Sequence, residues 1–446
     1  MLRVDNTTIY QEIQGFSFVK ETEDTVTGIS ALCYTSNKVT EETYCPYCGA
    51  KAYVKDYYTT TLKDMPYWYG IKHTLNLTHH RYKCPCCSHT FTEQLSIQCP
   101  GTRITLRNAN WIKGLLKNNM SVNAVVNITG VHWNTVRKLH KEYMDKYLSQ
   151  KEEERKRSGY KPKYLAVDEF AIHKGHTYAT CVMDLETGEV IWAGRGRAVE
   201  EFRRFFEETD MDYLSNVQAV AMDMNAAYNR LVEQYLPHAA IVYDRYHMQA
   251  EFGKEVLGSV RLREAEEHKE HALQLKDIVK QTTEPALKAS LKTETKAEMS
   301  AYSKVKKARW LILRNSENLT SQGDDTLQEI LKAHEDLSVC YAMKEEMCRL
   351  FSLRNTEEAK AGWKAWFEAA KASGVAELED FARRKEKRLA GLVAHAEHPI
   401  STGRLEGFNN RIKVAKRLAF GYRNDDYFFT LIKFISVSDH GFPEIP

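Results

Sequence analysis

Nowhere in these 446 residues do eighteen apolar side chains follow one another, so the sequence offers no candidate membrane span. The opening stretch, MLRVDNTTIYQEIQ, lacks the apolar core of a secretory signal, which predicts that the chain stays in a reducing cytoplasm. In that compartment ten cysteines predict metal ligands or plain thiols, not a disulfide framework. Net charge is scarce as well. Sixty-three Lys and Arg against 60 Asp and Glu leave only +3, too little to argue for any partner from the total. Proline is missing altogether between Pro285 and Pro399, a stretch dominated by Glu, Lys, Ala and Leu, and this predicts a run of helices.

What is present is that of an ordinary globular protein, 43% hydrophobic and 28% charged, with length enough for about three domains. The charge is unevenly placed. Residues 45–145 carry thirteen Lys and Arg against five Asp and Glu, and residues 401–423 carry six against one. Basic charge concentrated this way marks the expected nucleic-acid contacts.

Residues 1–44 are polar with short apolar patches, an extension without assignable chemistry. Then come Cys45-Pro-Tyr-Cys48 and Cys84-Pro-Cys86-Cys87, with 35 residues between the knuckles. Each Cys-x-x-Cys puts two thiolates on one turn, and two such turns complete a tetrahedral zinc site. Cys45, Cys48, Cys84 and Cys87 are the expected Zn²⁺ ligands of a ribbon over 45–100, with Cys86 able to stand in for Cys87. The alternation TLNLTHHRY between the knuckles predicts a hairpin strand. Residues 101–150 read as helices: Ile104, Ala109, Ile112, Leu115 and Leu116 share a face, Ser121 can cap a short helix, and Gly130 permits a sharp turn. The longer helix beginning near 132–134 bears Asn134, Thr135, Arg137, Lys138 and Lys141. This fits a helix-turn-helix with those five side chains on DNA; the plain alternative is a helical hairpin with a solvated basic face. The charged stretch SQKEEERKRSGYKP at 149–162 reads as a linker.

The segment 160–248 is organised around YLAVDEFA at 164–171, a short apolar run that predicts a strand buried on both faces. Asp168 at its end would be costly without an ion pair, hydrogen bonds or a metal. Two further strands, 178–185 and 190–194, flank a Glu-Thr-Gly-Glu turn and complete a meander. Helix 199–208, strand 217–222, helix 226–235 and strand 239–243 follow, and the last two strands again end in aspartates, Asp223 and Asp244. The carboxyl ends of strands in open sheets are where chemistry gathers. The class expected is therefore α/β. Residues 249–395 read as an all-helical insertion with Trp363, Trp366 and Phe367 as an aromatic ridge, and 396–436 returns to a compact pattern. There Leu405, Phe408, Ile412 and Ala415 form an apolar stripe, while Glu406, Asn410, Lys413 and Arg417 form a polar one nearly opposite. That polar stripe suits a metal beside a phosphate backbone, or an exposed charge ladder.

With Asp168, Asp223, Asp244-Arg-Tyr-His247 and LEGFNNRIKVAKR in one order, the chain resembles the transposases of bacterial insertion sequences of the ISL-three family, over nearly all of its length from Cys45. The likeness includes DEFA…KGH at 168–176 and the GYRN run. Ser401-Thr402 and Leu418-Ala419-Phe420 depart from the pattern, in loops and not at the acids. The resemblance implies a DDE catalytic domain of ribonuclease H-like fold, interrupted by the helical insertion, with Asp168, Asp223 and Glu406 catalytic and binding Mg²⁺ or Mn²⁺. Asp244 and His247 match a step near the site. Lys413, Lys416 and Arg417 are placed on the DNA backbone. It further implies double-stranded DNA partners (element ends and target), a homodimer that joins two ends, no membrane, and a place at the bacterial nucleoid. Two other readings are a catalytically silent DNA-binding regulator or domesticated relative, which an intact acidic triad argues against, and a nuclease that cuts without joining.

Overall fold

The computed structural model describes residues 13–23, 29–37, 43–66, 72–118, 120–173, 177–314, 318–419 and 421–437; Lys174, Gly175 and His176 of the KGH motif, and Phe420, lie outside the described residues. Packing divides the chain into two units, Met1–Ser158 with Asn410–Pro446, and Gly159–Asn409, the division falling inside the helix Gly403–Leu418.

In the first unit five strands, β1 (Phe16–Glu23), β2 (Ser30–Ser36), β3 (Tyr53–Lys63), β4 (His73–Lys83) and β5 (Thr90–Thr92), form one sheet around β4, which pairs parallel with β2 and antiparallel with β3 and β5. The predicted alternation is real: His73, Leu75 and Leu77 turn inward onto Leu32, Tyr34 and Leu62. Residues 1–44 thus supply two strands that the sequence hid, because β1 is almost wholly exposed and carries no inward apolar row.

Helices α1 (Leu106–Lys117), α2 (Val122–Thr129) and α3 (Trp133–Ser158) follow, with Thr105 and Ser121 as side-chain N-caps. Gly130 turns the chain at φ +66°, a left-handed conformation that costs a side-chain-bearing residue about 1–2 kcal/mol. Ile104, Ala109, Ile112, Leu116, Val125, Val131, Val136 and Leu139 fill the space between the helices. The stretch 149–158 is not a linker. It continues α3, since Glu152–Lys156, Glu153–Arg157 and Lys151–Glu154 pair along the helix surface, and the turn at Gly159 follows it.

Sheet and helices share a buried junction. Asp64, 2% exposed, accepts from Thr105 Oγ1, His73 Nε2 and the Arg107 guanidinium. Lys63 and Lys72 donate to the Gly130 and Asn127 carbonyls at the end of α2, so two of the segment's cations are spent inside the fold. Removing Asp64 strands His73 and Arg107. Asp64→Ala is therefore expected to lower local stability by about 3 kcal/mol, the low end for a broken buried pair because Arg107 is 27% exposed. Amide exchange in β4 and α1 would speed up roughly a hundredfold.

The last helix of this unit, Asp425–Val437, lies along α3 through Tyr427 and Phe434 against His140, Tyr143 and Tyr147. His140 Nδ1 and the Tyr427 hydroxyl are 2.5 Å apart, and burial pulls the imidazole down to about 4. A histidine depressed in the folded state stays neutral there while the unfolded chain takes up a proton below about 6.5, so stability falls as pH drops from about 6.5 to about 4 and is level below. The loss expected is about 3 kcal/mol, and His140→Phe should flatten that slope in unfolding measured against pH.

In the second unit a meander of β6 (Tyr164–His173), β7 (Thr177–Asp184) and β8 (Val190–Arg195) is joined by β9 (Ala219–Met222) and β10 (Ala240–Tyr243), both parallel, in the order β10-β9-β6-β7-β8. Helices α4 (Val199–Glu208) and α5 (Ala226–Tyr235) press Phe202, Phe205, Phe206, Tyr228, Leu231 and Val232 onto Leu165, Val167, Val182, Trp192, Val220 and Met222. Asp168 is not at the end of its strand as expected. Pairing with β7 carries β6 on to His173, whereas pairing with β9 stops at Ala166.

From α6 (Arg245–Phe252) to α14 (Leu389–Glu397) the chain is helical, around a core that includes Phe252, Trp363, Trp366, Phe367 and Phe381. The aromatic ridge sits on the helix Thr356–Lys371, which ends before Gly374 (φ +76°), and the next helix begins at Ala376. α14 lies on β10 because Gly391 has no Cβ to strike the Tyr243 ring. Among the described residues no helix is long and apolar enough to cross a membrane.

Candidate active site and cysteine cluster

Side chains of β6 alternate, so Leu165 and Val167 face α4 and α5, and Glu169 follows them on that side. Asp168 points the other way, toward the helix Gly403–Leu418 (α15). The register Ala166↔Ala221 between β6 and β9, counted on by two, brings position 168 level with 223, just past the end of β9. One strand over, Tyr243 pairs with Met222, which puts Asp244 beside Asp223. Glu406 stands in the first turn of α15.

Asp244 holds that helix in place. Its Oδ1 accepts from the Tyr246 and His247 N–H groups, capping α6, and its Oδ2 accepts from both the N–H and the hydroxyl of Thr402. Thr402 in turn receives the Glu406 N–H on its carbonyl. A second clamp comes from Arg404, whose guanidinium donates to the Leu185, Glu186 and Thr187 carbonyls at 2.6–2.9 Å. That turn needs Gly188, at φ +82°, where a Cβ would run into the guanidinium. Asp244 is 2% exposed and its oxygens are taken up by these bonds.

Asp168 accepts from the Glu169 N–H on Oδ1 and from Asn409 Nδ2 on Oδ2, both at 2.8 Å. Burial raises its pKa; the Glu169 N–H and the charge of His247 act against this, while the carboxylates of Glu406 and Asp223 push it further up. The acids therefore lie within electrostatic reach of one another, with His247 beside them. Glu169 is a fourth carboxyl there: burial raises it, a hydrogen bond from Tyr228 opposes this, and the charges of Asp168 and Asp223 reinforce it. The three acids are not drawn together tightly. Among the described residues the single group of three or more metal-type side chains with ligand atoms within 4.8 Å of one another is made of cysteines. Asp223 and Glu406 are exposed, whereas Asp168 is half-buried.

That cysteine group is Cys45, Cys48, Cys84 and Cys87. The Cys45–Cys87, Cys48–Cys84 and Cys48–Cys87 sulfurs are each 3.5 Å apart, near the roughly 3.8 Å edge of a tetrahedron with Zn–S bonds of about 2.3 Å. The N–H groups of Cys87 and Cys86 lower the Cys84 thiol to about 6. The Ala50 N–H pulls Cys48 down too, yet its sulfur neighbours raise it to about 12. Four sulfurs gathered like this could hold a cation, and all-sulfur donors suit zinc. Cys86 is exposed and outside the group.

Of the side chains expected on DNA, Asn134 and Lys138 are exposed and Thr135 is half-buried. Arg137 stacks between Trp133 and Tyr427, and Lys141 bonds Asp145 and Thr430, so both are engaged within the unit. Lys413 and Arg417 are exposed, whereas Lys416 is half-buried and burial lowers its pKa. Asn409, not Asn410, faces inward: it is 5% exposed, and no sequence pattern set it apart from its neighbour.

The profile of the DDE transposases of the ISL-three type, described as "Transposase", matches residues 165–432, from the first residues of β6 to beyond α15. This chain belongs to that transposase family. A second similarity covers more of it: the transposase for insertion sequence element IS1001 of Bordetella parapertussis is 34% identical over 392 residues, 87% of each chain. The transposase for insertion sequence element IS1557 of Mycobacterium tuberculosis is 24% identical over 263 residues, 58% of this chain and 57% of its own. The transposase match spans both halves of the interrupted sheet unit, the helical insertion included. Family membership implies work on DNA and a divalent metal, and the four-cysteine group is a place for a second metal.

Proposed function

We propose that this transposase binds the terminal inverted repeats of its own insertion sequence through the first unit, and cuts and joins DNA at the acidic centre of the second. The observation that carries the reading is that acids from three distant segments meet at Asp168: the strand register sets Asp223 level with it, and α15, which bonds it through Asn409, carries Glu406 one turn earlier. The meander followed by two parallel strands, with α4 and α5 across one face, supports a ribonuclease H-like fold. The cysteine-bearing sheet supports a zinc ribbon, and α1–α3 with the Gly130 turn support a helix-turn-helix that offers Asn134, Thr135 and Lys138 to base edges or phosphates. Lys413, Lys416 and Arg417 are the proposed backbone contacts beyond Glu406. Two ends must be joined, so the active form is a homodimer.

Asp168, Asp223 and Glu406 are hard oxygen donors, a set that fits Mg²⁺ or Mn²⁺. What such ions supply when bound is activation of the attacking oxygen and stabilisation of the leaving one. The protein's part is positional. Asp244 through Thr402, and Arg404 through the β7–β8 turn, fix the start of α15 and so the place of Glu406. His247, whose charge acts on Asp168, is the proposed acceptor of the proton from the attacking water in cleavage or from the 3′-OH in joining. With a DNA fragment bearing the element's ends, nicking is expected only when Mg²⁺ or Mn²⁺ is added, and chelator should stop it. Affinity for that fragment should fall steeply with salt, as phosphate contacts require. Nicking that persists in chelator would overturn the proposal.

A further inference from the structure

Asn409 is buried, 5% exposed, one helical turn after Glu406 on α15. Its Nδ2 donates to Asp168 Oδ2 at 2.8 Å, and its Oδ1, also buried, has no hydrogen-bond partner. An acceptor left unmet in the interior costs about 1–3 kcal/mol, so the group has a reason to be there that the protein alone does not satisfy. Residues three apart share a helix face, which means that one placement of α15 sets both Glu406 and Asn409 against the acidic centre.

We propose that Asn409 is a positioning residue of the acidic centre: it fixes the direction of the Asp168 carboxylate and presents its Oδ1 to the hydrated divalent cation. This rests on the reading of Asp168, Asp223 and Glu406 as cation-binding acids. A neutral amide is the side chain suited to the task. Lysine or arginine at this position would also hold Asp168, but its charge would discharge the acid and repel the incoming cation. The amide orients the carboxylate and leaves its charge intact. Mg²⁺ and Mn²⁺ keep several bound waters, whose O–H groups are the donors that Oδ1 lacks.

The test uses the full-length protein with its cysteine site loaded with zinc, and Mn²⁺ as the probe, read by electron paramagnetic resonance without DNA. Asn409→Leu keeps the volume and removes the amide; Asn409→Ala changes the packing in the other direction, so the two separate polarity from fit. Circular dichroism reports folding. Both variants are expected to fold, to bind Mn²⁺ about tenfold or more weakly, and to change the line shape of the bound ion, a signature that mere anchoring of α15 would not move. Wild-type affinity and line shape in both variants, while Asp168→Asn loses the site, would sink the role of Asn409 alone. If Asp168→Asn itself binds Mn²⁺ as the wild type does, the acidic-centre reading fails and takes this inference with it.

Discussion

Asp168→Asn is expected to bind element-end DNA as tightly as the wild type and to lose strand cleavage by on the order of a thousandfold. The substitution keeps the shape of a side chain on the interior of β6 and removes its charge. The amide oxygen still meets the Glu169 N–H, and its NH2 faces Asn409, whose own amide can turn its oxygen toward it, so the strand and α15 keep their places. What disappears is the anion at the centre of the three acids. Charge stabilisation by a bound metal is worth several kcal/mol, and each 1.4 kcal/mol or so is tenfold in rate. Binding is expected to survive because the proposed end-binding elements belong to the first unit and Asp168 to the second. A gel shift and a nicking assay on the same labelled fragment separate the two quantities. Normal nicking by the variant would end the catalytic assignment.

Cys84→Ser is expected to do the reverse damage. The four sulfurs lie at zinc-site spacing, and the five-stranded sheet has a core of only a few side chains, Leu32, Tyr34, Leu62, Leu75 and Leu77 among them. A structural zinc contributes about 10–16 kcal/mol of apparent binding energy in small zinc domains, far more than such a core supplies. Losing the thiolate that the Cys86 and Cys87 N–H groups favour should empty the site and release β3–β5. Because Asp64 ties this sheet to α1 and Lys63 and Lys72 hold the end of α2, end binding goes with it. Cys86→Ser is the control, since that thiol is exposed and outside the cluster. Metal analysis should find about one zinc per chain in the wild type and in Cys86→Ser, and substantially less in Cys84→Ser. Equal zinc in all three would disprove the site.

Some of the architecture could be read directly. Helices 199–208 and 226–235 appear at the predicted bounds because their phenylalanines, or their apolar spacing, bury one face, and that is a local property. The linker reading of 149–162 failed over 149–158 for a reason equally local: opposite charges four apart stabilise a helix, and the chain turns only at Gly159. β1 escaped notice because an edge strand with exposed faces carries no periodic signal, only a partner, and β2 because its inward row is just Leu32 and Tyr34. Asp244, matched in the sequence only to a step near the site, fastens α15 through its hydrogen bonds to Thr402.

Residue order alone determined the cysteine knuckles, the alternation of the strands, the helical character of the insertion and the acids available to the centre, since each depends on neighbours within a turn or a strand. Only the tertiary structure decided which of Cys86 and Cys87 joins the sulfur group, which cations are spent in capping and stacking, and that Asn409 grips Asp168 across 241 positions of sequence. The reason is physical. Hydrogen bonds and Coulomb forces act over a few ångströms of space, and nothing in a linear pattern says which distant side chains folding will bring that close.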